Sequence, residues 1–185
     1  MASTASAELV GAKPALRRLY VIRFVFAAAW AALLLVSGSD LSAGAKLLLF
    51  LYPAFDVVAA VVDARSARAD GPVKGLYANI AVSSLAAIGI AVASTSGVGD
   101  VLRVWGAWAV LSGLVQLLVG VARRPMGGQW AMIASGGISV LAGATFIRSA
   151  SQDAPSLTTL AGYATLGGIF FLVSALRLPR STNRG

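Results

Sequence analysis

The sequence predicts an all-α membrane protein, a polytopic bundle of six transmembrane helices built from three helical hairpins. Three observations predict it. Of its 185 residues, 58% are hydrophobic and only 12% are charged, whereas a soluble domain carries about a quarter charged residues. The apolar residues arrive in six long blocks, which a soluble core does not require. Lysine and arginine collect between alternate blocks, as they do in the loops on one side of a membrane.

A spanning helix needs about 20 mostly apolar residues. The blocks that qualify are residues 19–36, 45–62, 76–94, 101–122, 130–147 and 157–176. An amino-terminal tail (1–18) precedes this transmembrane domain (19–178), and a short tail (179–185) follows it. Turn-forming residues separate the blocks: Ser37-Gly38-Ser39-Asp40, Asp70-Gly71-Pro72, Ser96 to Asp100, Arg124 to Gly128, and Ser151 to Pro155. The second block contains Pro53 and Asp56. Proline is tolerated in a membrane helix whose neighbours re-satisfy the freed carbonyl, so the span is kept and a kink is expected there. A cleaved signal peptide is the alternative for the first block, with Ala43-Gly44-Ala45 as its processing site. The long basic start and Arg23 inside the apolar run argue against it.

Charge sets the expected orientation. Lys13, Arg17 and Arg18, then Arg65, Arg68 and Lys74, then Arg123 and Arg124, then Arg177, Arg180 and Arg184 all fall on one side. The other side holds Lys46, Arg103 and Arg148, and Arg23 lies within a span. Positive charge stays cytoplasmic, which places both termini in the cytoplasm. The net charge of +8 is then a topological signal, and no basic, aromatic-interleaved stretch suggests nucleic acid. The lipid bilayer is the expected partner.

The later spans repeat one another. A shift of 53 lays Gly75 on Gly128, Tyr77 on Trp130, Ile80 on Ile133, and Ser83-Ser84 on Gly136-Gly137. A shift of 55 lays Trp108 on Tyr163, Leu111 on Leu166, and Ser112-Gly113 on Gly167-Gly168. The first hairpin is the most diverged. Small residues allow the close helix approach that replaces hydrophobic drive within lipid. Gly113, Gly136, Gly137, Gly143, Gly167 and Gly168 are therefore expected at helix contacts, with Ser139/Gly143, Ala164/Gly168 and Ala87/Ala91 as four-residue stripes.

The stretch from Val101 to Leu178, especially SGGISVLAG and LTTLAGYATLGGIFFLVSALRL, resembles the HdeD-like family of small bacterial membrane proteins. The resemblance implies six helices, short hairpin repeats and an association with acid resistance. It carries over no catalytic residue. The departure is the first hairpin, where Arg23, Pro53, Asp56 and Asp63 stand in place of a plain glycine pattern.

Enzymatic residues are scarce. The chain has no cysteine and no histidine, which removes thiolate chemistry, the commonest metal ligand and the commonest general base. No catalytic residue, cofactor or metal site is expected, and Gly127-Gly128 lacks the Lys-Ser/Thr of a phosphate loop. Any acid response would run through carboxylates such as Asp40, Asp100 and Asp153 on the outer face.

Charges within a bilayer are costly, and are paired or functional. Arg23 lies about 6 Å inside the first span and Asp56 about 9 Å inside the second from the same face, at 1.5 Å per residue. They are expected to pair, directly or through water. With Asp63, seven residues on, they form either a polar track for protons or a small ion, or a structural pair. Gln116 and Asn79 are expected to hydrogen-bond between helices. Trp30, Trp105, Trp108 and Trp130 read as an interfacial aromatic belt. Three functions follow: a non-enzymatic membrane protein supporting the envelope under stress, a small transporter or channel around Arg23 and Asp56, or a scaffold for another membrane helix or a second copy.

Overall fold

A computed structural model describes residues 2–37, 40–67, 74–122, 124 and 130–177. Six helices occupy them: α1 (Ala2–Ser37), α2 (Ala43–Ala67), α3 (Lys74–Ala93), α4 (Val98–Ala122), α5 (Trp130–Ser149) and α6 (Thr158–Arg177). Each contains a stretch long and apolar enough to cross a membrane, from Arg17–Ser37 in α1 to Thr158–Arg177 in α6. The chain is a multi-pass membrane protein. Both ends of α3, α4, α5 and α6 fall within three residues of the expected spans, and α2 runs five residues past its expected end. The first helix departs furthest, extending back to Ala2 through what was expected to be a tail. The carboxy-terminal tail and the loops around Asp70 and Gly127 lie outside the described residues.

Local chemistry explains the ends. Ser42 caps α2, its hydroxyl accepting from the Ala45 amide at 3.2 Å. The α3–α4 turn closes on Gly97, whose φ of 141° is a conformation that only glycine adopts at low cost. Asp100, expected in that loop, instead lies in the first turn of α4, where a carboxylate favours the helix dipole. It also pairs with exposed Arg103 at 2.6 Å. Pro53 is accommodated inside α2.

The helices close into a ring, each packing on its chain neighbour and α6 returning to α1. The most extensive contacts are α4 with α5, α1 with α6, and α2 with α3. These pairs are offset by one helix from the three hairpins the sequence pattern predicts, and α5 with α6 is the loosest pair in the ring. The core is rich in alanine (Ala27, Ala31, Ala60, Ala109, Ala161, Ala164) around the large side chains Trp30, Leu34, Ile90, Leu102, Trp105 and Leu160. Large aliphatic residues such as Leu85, Leu118 and Leu141 face outward. This distribution suits lipid, where an outward leucine carries no penalty and small residues let helices approach.

Glycine spacing makes the α4–α5 contact. A Cβ on Gly106 would stand 2.6 Å from the Gly143 carbonyl oxygen, and one on Gly113 would stand 2.7 Å from that of Gly136. These separations lie below any real Cβ contact. The two helices therefore touch backbone to backbone at two levels seven residues apart. Gly168 packs less tightly on α1, with its Cβ position 3.2 Å from Ala27. Gly137 faces open space, and Gly167 approaches only the Tyr52 hydroxyl, at 4.0 Å.

Candidate functional site

Arg23 and Asp56 meet directly. Arg23 Nη1 donates to Asp56 Oδ1 at 3.1 Å, with side chains 12% and 20% exposed. Asp56 also accepts from two groups on α3: Asn79 Nδ2 at 2.7 Å and Ser83 Oγ at 2.8 Å, both to Oδ2. Ser83 in turn accepts from Trp108 Nε1 of α4 at 3.0 Å. On the other side, the Arg23 guanidinium lies over the Phe171 ring of α6, 4.8 Å from its centroid. A single polar knot thus links α6, α1, α2, α3 and α4.

Local spacing accounts for its shape. Asn79 and Ser83 are four apart and share one face of α3, so both reach one carboxylate oxygen. The two carboxylate oxygens face three donors, and hydrogen bonds that involve a charged partner such as Arg23 are the stronger kind. Phe26 and Phe55 stack beside the pair, ring centroids 3.8 Å apart. With Arg23, Tyr52, Asp56 and Phe171, they line a cavity of about 20 Å³.

Three of the four tryptophans sit differently from an interfacial belt. Trp30, Trp105 and Trp108 are 2%, 0% and 7% exposed, and only Trp130, at 70%, faces outward. The buried three form an aromatic cluster with Tyr52, with successive centroids 4.6 to 6.0 Å apart. Burial is compatible with the polar edges of two of them, because Trp30 Nε1 donates to the Leu48 carbonyl at 2.6 Å and Trp108 Nε1 to Ser83, while Trp105 Nε1 is buried without a protein partner. A second aromatic–serine link, Tyr163 hydroxyl to Ser139 Oγ at 3.0 Å, joins α6 to α5. Trp108 and Tyr163 are the residues aligned by the repeat, and each bonds a serine on the preceding helix.

No family model, characterised protein or solved structure matches the chain.

The remaining expected site residues lie apart from the knot. Asp63 forms no ion pair, since among the described residues the only ones are Arg23–Asp56 and Arg103–Asp100. Gln116 is half-buried on α4 and is not among the partners of Asp56. Sequence reasoning assigned Asn79 an interhelical hydrogen bond without its acceptor, and it missed Ser83 altogether as a polar partner. The available signal was their four-residue spacing at the depth of an unsatisfied carboxylate.

Proposed function

We propose that the chain is a non-enzymatic protein of the bacterial inner membrane, of HdeD-like type, with both termini cytoplasmic and a role in keeping the envelope intact under acid stress. The resemblance of residues 101–178 supports the family and the stress role, and the distribution of Lys and Arg supports the orientation. The observation that carries the non-enzymatic reading is the engagement of Asp56 by three protein donors. Its carboxylate accepts hydrogen bonds from Arg23, Asn79 and Ser83, beside a cavity of about 20 Å³. That volume suits about one water molecule, far short of the roughly 300 Å³ at which ligand pockets begin. The knot then serves assembly of the bundle.

The cavity at Arg23 and Asp56 favours a second reading, a pathway for protons or a small ion, because intramembrane charges mark such routes. One experiment separates the two. Proton flux is measured in proteoliposomes containing wild type or Asp56→Asn, at neutral and acidic outside pH, and survival at low pH is compared in cells with and without the gene. The stress reading expects flux no greater than in empty liposomes together with an acid-survival defect on deletion. Flux that vanishes in a folded Asp56→Asn protein would establish the transport reading instead.

A further inference from the structure

The bundle carries all of its net charge at one end. In chain order, eleven Lys and Arg and three acids (Glu8, Asp63, Asp70) fall there, and three of each fall at the other end. The spans Arg17–Ser37, Ala43–Arg65, Lys74–Ala93 and Thr158–Arg177 each begin or finish on a cation at that charged end. Arg18 and Arg65 belong to this girdle. Both are exposed, and among the described residues neither joins an ion pair. Each heads an aliphatic stripe. Val21, Ile22 and Val25 follow Arg18 at three, four and seven residues, and Val62 and Val58 precede Arg65 at three and seven. Those spacings put each arginine and its stripe on one helix face, and all five aliphatic residues are exposed. The stripes lie on neighbouring helices, which the contacts Arg23–Asp56, Phe26–Phe55 and Trp30–Leu48 fix in antiparallel register. Continuing that register at 1.5 Å per residue sets Arg65 about 6 Å beyond Arg18 along the bundle.

The chemistry narrows the occupant. A soluble anion or a nucleic acid would use the arginines and leave the stripes bare. An uncharged membrane helix would cover the stripes and leave the arginines unmatched. A second copy in a twofold contact would bring the same arginines against each other. A diacyl phospholipid with an anionic headgroup uses both, its phosphate at the arginines and its chains along the valines and Ile22. Arginine lays its stem on apolar surface and keeps its charge in the polar layer, and cations beside a membrane span attract anionic lipids. We propose that the outward face of the α1–α2 hairpin is a docking surface for an anionic phospholipid. The surface requires only that the helices span a bilayer, and neither the stress role nor a particular orientation.

Native mass spectrometry of the full chain, with phosphatidylglycerol or phosphatidylcholine of the same acyl chains, tests it. Phosphatidylglycerol is expected to bind the tighter, and equal binding overturns the proposal. A cation near an anionic surface is worth about fivefold in affinity, so Arg18→Gln with Arg65→Gln is expected to cut the preference about 25-fold. Lys46→Gln with Arg148→Gln removes equal charge from exposed positions at the other end and is expected to leave it unchanged. Equal losses in both double variants would trace the preference to net charge alone. A preference kept by Arg18→Gln/Arg65→Gln would place the lipid elsewhere, and either result overturns the proposal. Should the arginine variant not fold, the wild type still decides. Free glycerol phosphate is expected not to displace the bound lipid. Displacement would reduce the surface to a simple anion contact and overturn the proposal as well.

Discussion

The polar knot and the glycine seam hold the same bundle by opposite means. Around Asp56, five helices are tied by side chains that reach across open distance: a guanidinium, an amide, a hydroxyl and an indole. Between α4 and α5, the helices come so close that Gly106, Gly113, Gly136 and Gly143 admit no side chain. The first device is directional and fixes which helix faces which. The second is steric, and its strength lies in the dispersion contacts and close backbone approach that glycine allows. A membrane protein needs both, because lipid supplies no hydrophobic drive between helices.

The contrast can be broken at four points, in order of falling effect. Asp56→Ala strands Arg23 inside the bundle, and loss of one partner from a buried ion pair costs about 3–5 kcal/mol. Unfolding in bicelles by steric trapping measures it. Gly143→Ala drives a methyl to 2.5 Å from the Gly106 carbonyl oxygen. Overpacking of this kind costs about 1–3 kcal/mol, read as a fall in the thermal midpoint of the detergent-solubilised protein. Ser83→Ala removes one hydrogen bond to Asp56 and orphans Trp108 Nε1. The expected loss is about 0.6–2 kcal/mol, the span of values for interhelical hydrogen bonds in membranes, with a change in tryptophan fluorescence that Asn79→Ala does not share. Gly137→Ala meets nothing within 4 Å, so stability is expected to stay within about 0.5 kcal/mol of wild type. A large loss there would show that the face is covered.

Those four positions also show what a sequence can disclose. The six spans were legible because length and hydropathy are properties of the chain alone. The Arg23–Asp56 pairing was legible too, since depth along two adjacent antiparallel helices follows from rise per residue. Rotation about each helix axis was not legible. Gly136 and Gly137, or Gly167 and Gly168, are indistinguishable in a pattern, yet neighbours on a helix point about 100° apart, and only Gly136 and Gly168 meet a neighbouring helix closely. The same ambiguity hid Ser83 and the acceptor of Asn79, since their convergence on one oxygen depends on how α3 is turned. It also misplaced Trp30, Trp105 and Trp108, because a position near a span end suits an interfacial belt and an inward cluster equally. The closer packing of helices across, rather than within, the expected hairpins is a property of the closed ring.

The most direct test of the central claim, that Asp56 is the hub of a structural knot, is a double-mutant cycle of Arg23→Leu and Asp56→Leu, with unfolding free energies measured in bicelles. If the pair acts as a unit, each single variant strands a charge and the double variant does not. The double variant is therefore expected to be more stable than the sum of the singles implies, by about 1.5 kcal/mol or more. Additive losses, with no coupling between the two positions, would contradict the account.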